Sequence, residues 1–192
     1  MNESDLLNTL RTLNNVASLL QTKVYVWGGL TQDLYEGKFL REHSDVDCFM
    51  LEGNKTKDEL ATFFQHEGWN VLDMNGVLSI KKEGSKIHLG HIEPMNASLM
   101  KYTFYEGALF ITFPTAWLKK EPFMFYGIPV DTTEPEFEYA IRIGPMKLNP
   151  LQELREKDTL AVQYFEKRLT LKGENLDNVL ANMHIPLELV GG

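Results

Sequence analysis

The stretch VYVWGGLTQDLYEGKFLREHSDVDCFM, residues 24–50, decides how this chain is read. Val24, Tyr25, Val26 and Trp27 are strand formers, and the run breaks at Gly28-Gly29. A helical segment follows, with Leu30, Asp33, Leu34 and Gly37. The charged turn Arg41-Glu42-His43 then leads to Asp45-Val46-Asp47 and a short apolar run, Cys48 to Met50. The order is strand, Gly-Gly, helix, turn, strand, with two carboxylates where the second strand starts. Each part has a physical use. Glycine lacks Cβ, so a Gly-Gly turn lets backbone N–H groups approach a bulky anion. A helix beginning just after it points its positive end at that anion. Residues i and i+2 of a strand face one way, so Asp45 and Asp47 project together, a hard oxygen site suited to Mg²⁺. A phosphate cradle beside a divalent ion is what nucleotidyl transfer requires. Gly-Gly turns and D-x-D strand ends are each common on solvated surfaces. Their order within one strand–helix–strand unit is what makes them specific.

With those residues in this order, the chain resembles the nucleotidyltransferase superfamily related to DNA polymerase β. The nearer likeness is to the small antibiotic nucleotidyltransferases that modify lincosamides and aminoglycosides. Those proteins carry a Gly-Gly, a downstream Asp matching Asp33, a Gly matching Gly37, and an Arg-x-His-x-Asp-h-Asp run, here Arg41, His43, Asp45, Val46 and Asp47. The likeness is strong over residues 22–50, weaker to residue 95 and faint beyond. It implies a mixed α/β (α+β) nucleotidyltransferase fold, with a mixed sheet flanked by helices. Residues 1–133 would form the core, and residues 134–192 a helical C-terminal region packed on it as one compact unit. The resemblance further implies Mg²⁺ on Asp45 and Asp47, and a nucleoside triphosphate, ATP first, held by Gly28 and Gly29. Arg41 or His43 would touch the phosphates or brace the loop.

The superfamily sets a third carboxylate on a later strand, beside the first two. In the antibiotic-modifying relatives the pattern is Asp, any residue, His or Glu, then Pro; the matching residues here are His91-Ile92-Glu93-Pro94. His91 and Glu93, as alternating strand residues, would share a face. Three readings stay open. Glu93 supplies the carboxylate and His91 is a base or soft ligand; or His91 fills the position and the metal rests on Asp45 and Asp47 alone; or the chemistry has been lost. A slip in strand register would bring His88 forward instead. A neutral imidazole can take a hydroxyl proton near pH 7, and a satisfied polar His91 at a strand end is the plain structural alternative.

Composition sets outer bounds. The chain has 192 residues, 43% hydrophobic and 24% charged, ordinary for one globular unit. Its net charge of −8 argues against general nucleic-acid binding, and no Lys/Arg cluster with interleaved aromatics is present. No window is apolar over the roughly 18 residues a membrane span needs. The opening MNESDLLNTL has neither the basic nor the apolar region of a signal peptide. The single cysteine, Cys48, lies in an apolar run and reads as core. Together these suggest a cytoplasmic protein.

The rest of the chain reads in alternation. Leu6, Leu10, Leu13 and Val16 mark an amphipathic helix over residues 4–20, capped by Ser4 or Asn2. Residues 52–54 form a turn, and residues 56–67 a helix stopped by Gly68. Residues 69–74 and 77–82 form a hairpin through Asn75-Gly76, and a strand over 86–92 follows, closed by Pro94. The aromatic-rich region 96–134 holds further short strands around an acceptor pocket. Thr132 or Thr133 would cap a helix over 135–143, ended by Gly144-Pro145. Residues 150–171 read as the longest helix, 176–183 as a short one, and 184–192 as a loosely held tail. Arg155-Glu156-Lys157-Asp158 resembles a charged turn in the relatives' last helix, but a solvated face with i,i+4 pairs is the preferred reading.

The expected function is Mg²⁺-dependent transfer of a nucleoside monophosphate to a hydroxyl of a small molecule. Resemblance alone suggests the acceptor: a lincosamide or aminoglycoside antibiotic, and hence resistance, or equally an unrelated housekeeping compound. A non-catalytic nucleotide-binding or regulatory module of the same fold is the alternative. A toxin-like transferase acting on a protein or transfer RNA is a third.

Overall fold

The computed structural model describes residues 1–51, 56–104, 109–148 and 153–185. In chain order the elements are α1 (Glu3–Leu19), β1 (Val24–Trp27), α2 (Thr31–Glu36), β2 (Val46–Leu51), α3 (Lys57–His66), β3 (Asn70–Met74) and β4 (Val77–Lys82). They continue as β5 (Ser85–Pro94), β6 (Leu99–Phe104), β7 (Leu109–Pro114), β8 (Phe123–Phe125), β9 (Ile128–Thr132), α4 (Pro135–Leu148), α5 (Glu156–Lys172) and α6 (Leu176–Ala181). The strands form one mixed sheet in the order β3-β4-β5-β2-β1-β9-β8. β6 pairs with the far end of β5, and β7 pairs with β6. β2 runs parallel to β5, and β1 parallel to β9.

Alternation along the central strands feeds two cores. Val24 and Val26 of β1, Val46, Cys48 and Met50 of β2, and Ile87 and Leu89 of β5 face α1 and α3, where Leu6, Leu10, Leu13, Leu60 and Phe64 close over them. Tyr25 of β1, Phe49 of β2 and Ile92 of β5 face the other way, onto Phe137 and Ala140 of α4 and Phe165 and Leu169 of α5. Phe49 is the hub of this second core. Trp27 stacks on it at 4.9 Å, and Tyr102 and Phe137 meet it edge-on at 4.7 and 5.5 Å. Gly90 on β5 makes room for the Tyr102 ring, because a Cβ there would fall 2.5 Å from Tyr102 Cε2. Among the described residues no helix is long and apolar enough to cross a membrane.

Local chemistry explains the element ends. Asn2, rather than Ser4, caps α1, its Oδ1 accepting the Asp5 N–H at 2.9 Å. Thr56 and Glu59 form a reciprocal capping box on α3. Asn75 and Gly76 both take positive φ, 56° and 100°, as a two-residue hairpin turn requires. Two sequence expectations fail in the C-terminal region. The helix expected to stop at Gly144-Pro145 continues to Leu148, with Pro145 inside it. Proline in the last turn removes one intrahelical bond without forcing an end, and Gly144 is packed so closely that a Cβ would lie 2.6 Å from Ile185 Cδ1. The helix expected from residue 150 begins only at Glu156, after Arg155 in extended geometry. The expected turn at 52–54, the start of the expected helix at 150 and all but the first residues of the expected loose tail lie outside the described residues.

Phe49→Ala is expected to cost about 3–5 kcal/mol in urea unfolding, because it removes the ring on which four others pack. Leu72→Ala, on the exposed edge strand β3, should stay within about 0.5 kcal/mol of the parent.

Candidate active site

The site starts where β1 ends. The chain leaves Trp27 and turns through Gly28-Gly29-Leu30 in one 3₁₀ turn, then enters α2. Gly28 needs its glycine twice over. Its φ is +79°, and a Cβ there would meet Asp47 Oδ2 at 2.9 Å. β1 and β2 are antiparallel with Trp27 opposite Asp47, so the turn and the carboxylate are brought together by sheet register.

Beneath the turn lies a buried carboxylate. Glu138, on α4, is fully buried. It accepts the Gly28 N–H through Oε1 and Oε2, at 3.0 and 3.2 Å, and the Thr31 and Thr133 hydroxyls at 3.0 and 2.5 Å. Arg142 Nη1 donates to Oε2 at 2.6 Å. A buried charge is tolerable only when paired and hydrogen-bonded, and this one has four donor groups from three segments. It fixes the Gly-Gly turn to α4.

A second brace shapes the loop between α2 and β2. Asp33, almost fully buried, accepts the Leu40 N–H through Oδ2 at 3.0 Å and lies 2.9 Å from His43 Nε2. That contact leaves the other ring nitrogen of His43 on the Gly29 side, where a Cβ on Gly29 would come within 3.6 Å of Nδ1. Arg41 crosses the same glycine, its Nη2 donating to the Gly29 carbonyl at 3.4 Å. The Asp33–His43 pair therefore sets the position of Ser44 and Asp45 at the mouth of β2.

Asp45 and Asp47 face the side of the sheet on which α4 and α5 pack. β2 and β5 are in register with Asp47 opposite His88, and His88 Nδ1 lies 3.2 Å from Asp47 Oδ1 and 3.8 Å from Asp45 Oδ2. Lys86 Nζ donates to Asp45 at 3.4 Å. Partial burial opposes the charge on Asp45, but the Ser44 hydrogen bond, the nearby His88 and Lys86 outweigh it and hold its carboxyl below the usual range. Both carboxylates open into a cleft of about 520 Å³. Gly28, Gly29, Arg41 and His43 line its near side; Ile141, Arg142 and Pro145 of α4, and Arg155, Lys157 and Asp158 at the start of α5, line its far side.

No family model matches the chain, and no curated relative matches it. Solved structures do. The antibiotic-resistance factor ANT(2'')-Ia superposes with a TM-score of 0.71 at 13% identity, over 93% of this chain and 91% of that one. The lincosamide adenylyltransferase LnuA, solved with lincomycin, gives 0.62 at 15% identity, over 86% and 97%. A nucleotidyltransferase-like protein from Paracoccidioides brasiliensis gives 0.52 at 16%, over 98% and 97%. The chain has the nucleotidyltransferase fold.

Within that fold the expected site residues separate. Gly28, Gly29, Arg41, His43, Asp45 and Asp47 meet around one cleft. His91 and Glu93 do not join them. His91 pairs with Met50, on the α1/α3 face, one position out of phase with Asp47. Its Nε2 is buried with no hydrogen-bond partner among the described residues, and burial is the first cause that pushes its pKa down. Glu93 pairs with Lys101 at 2.8 Å. The imidazole beside the aspartates belongs to His88. Gly28 also departs from expectation, because its N–H is already bonded to Glu138. The residues that sequence reasoning passed over are Glu138, Arg142, Arg155 and Lys157. The charged run at 155–158 is visible in the sequence, where it has the pattern of a solvated face.

Among the described residues, no group of three or more His, Cys, Asp or Glu side chains is placed to enclose a metal ion. Asp45 and Asp47 form an open two-carboxylate site. The donor set fits Mg²⁺, which takes one or two carboxylates and completes its shell with phosphate oxygens and water. The missing Cβ of Gly28 leaves the approach to Asp47 clear.

Removing the buried brace should be severe. Glu138→Ala strands Arg142 and two hydroxyls, and is expected to lower unfolding free energy by about 3–5 kcal/mol in chemical denaturation. Glu138→Gln, which keeps an acceptor for Gly28, should cost less.

Proposed function

We propose that the protein transfers a nucleoside monophosphate from a nucleoside triphosphate, ATP in the first instance, to a hydroxyl group of a small molecule. The observation that carries this reading is the register of β1, β2 and β5. It sets Asp45, Asp47 and His88 on one face of the sheet, and Asp45 and Asp47 line the cleft under a Gly-Gly turn. The fold supports it. One compared structure holds ANT(2'')-Ia with adenylyl-2''-tobramycin, and LnuA is described as an adenylyltransferase. On this reading the Gly-Gly turn, the loop before β2 and β2 itself supply one wall of the cleft, and α4 and the start of α5 the other.

Asp45 and Asp47 would hold Mg²⁺, which when bound neutralises charge on the phosphates and orients them. In the transfer the acceptor oxygen bonds to the α-phosphorus, the bond from that phosphorus to the bridging oxygen breaks, and pyrophosphate leaves. The hydroxyl proton needs a base, and we assign it to His88, which Asp47 orients at 3.2 Å. Asp33 and His43 keep the β2 entrance in place, and Glu138 keeps the Gly-Gly turn in place.

A catalytically impaired nucleotide-binding module is the second reading. One observation favours it: an imidazole stands where the resemblance expects a carboxylate. Incubation with α-labelled ATP and a panel of hydroxyl acceptors, including a lincosamide and an aminoglycoside, separates the two. Transfer is expected in the parent, reduced at least about 10²-fold in Asp47→Asn and about 10²–10⁴-fold in His88→Ala, and near parental in His91→Ala. Nucleotide binding without transfer to any acceptor would favour the impaired module.

A further inference from the structure

The transfer reading needs the polyphosphate tail held, yet one of the two expected backbone donors is occupied. The Gly28 N–H is bonded to Glu138. Arg142, on the far wall, is turned toward that carboxylate, its Nη1 donating to both the side chain and the carbonyl of Glu138. Two other cations on that wall are differently placed. Arg155 lines the cleft, and its Nε donates to Asp158 at 2.5 Å. That bond orients the guanidinium and leaves its two terminal amines, a fork that matches phosphate oxygens. Lys157 also lines the cleft and makes no ion pair with another described residue. Its ammonium is a point charge on a flexible stem.

Their surroundings favour an anion that bridges the two walls. Asp45 and Asp47 stand on the near wall. The Asp158 hydrogen bond is the first cause that raises Arg155's pKa; partial burial opposes it, and the charges of Asp158, Asp47 and Asp45 add smaller contributions. Asp158 is committed to Arg155, and Glu153 is the remaining carboxylate that lines this side.

Resting on the nucleotidyl-transfer reading above, we propose that Arg155 and Lys157 clamp the β- and γ-phosphates of the nucleoside triphosphate from the start of α5. The tail then runs from the Asp45–Asp47 wall to the α5 wall. Asp158 is a positioning residue that aims Arg155. When the bond between the α-phosphorus and the bridging oxygen breaks, negative charge grows on the departing pyrophosphate, and the clamp meets that charge directly. The C-terminal helices become part of the nucleotide site instead of a support behind it.

The clamp touches only the tail, so ATP and AMP separate it from other roles. Calorimetric titrations with Mg²⁺ would compare the parent with Arg155→Ala/Lys157→Ala and with the charge-reversed Arg155→Glu/Lys157→Glu. Both residues are exposed, so thermal unfolding should show the variants folded. The expected result is ATP affinity lowered at least about tenfold, and more so on charge reversal, with AMP affinity within about twofold of the parent. ATP affinity unchanged in both variants overturns the clamp and leaves the transfer reading standing. ATP and AMP weakened alike also overturns it, because the residues would then serve the nucleoside or the fold. A parent that binds no ATP with Mg²⁺ removes the transfer reading and the clamp with it.

Discussion

The four hydrogen-bonding partners of the buried Glu138 carboxylate hold the functional end of this molecule together. One reaches back to the Gly28 backbone, one to Thr31 at the start of α2, one to Thr133 at the end of β9, and one along α4 to Arg142. Without that charge, the Gly-Gly turn would have no fixed relation to the helices that close the cleft. The carboxylate exchanges water for four donors, which is the condition under which a buried charge is tolerated. It also spends the backbone donor that a phosphate would otherwise use. The side-chain cations that line the cleft are Arg41 from the loop before β2, Arg142 from α4, and Arg155 and Lys157 at the start of α5.

How much of this was legible in sequence depends on the range of the interaction. Local signals were readable. Asn75-Gly76 forms the hairpin it announces, the apolar spacing in residues 4–20 matches α1, and the strand–Gly-Gly–helix–strand unit of residues 24–50 forms as read. The mixed α/β fold followed from those signals together with the family likeness. The register of β5 was not legible. Ile87 and Leu89 face one core and Ile92 the other, so both faces of the strand are apolar somewhere along its length. A period-2 pattern then gives no parity, and parity decides whether His88 or His91 stands beside Asp47. The match of His91-Ile92-Glu93-Pro94 to a family motif pointed to His91, which lies on the face of the sheet opposite to Asp47. The partners are 41 residues apart in sequence, and only the parallel pairing of β2 with β5 sets them together.

The far wall was hidden for a different reason. Glu138 and Arg142 lie on α4, and Arg155 and Lys157 at the start of α5, in sequences that look like ordinary solvated charge patterns. A buried Glu on the first turn of a helix reads as a favourable helix-end charge, and nothing local tells that Gly28, 110 residues earlier, is its partner. Pro145 also misled. It suggested a helix end, whereas α4 runs on and contributes Pro145 itself to the cleft. Tertiary context, here the packing of α4 and α5 on the Phe49 core, sets Arg142, Arg155 and Lys157 on the cleft and Glu138 beneath the Gly-Gly turn.

The account's central claim is that Asp45 and Asp47, on the cleft face of β2, bind a nucleoside triphosphate together with a divalent ion. Calorimetric titration of ATP, with and without Mg²⁺, into the parent and into Asp45→Asn/Asp47→Asn tests it most directly. The account predicts binding that needs Mg²⁺ and disappears in the double variant. Binding that ignores Mg²⁺ and is equal in both proteins would contradict it.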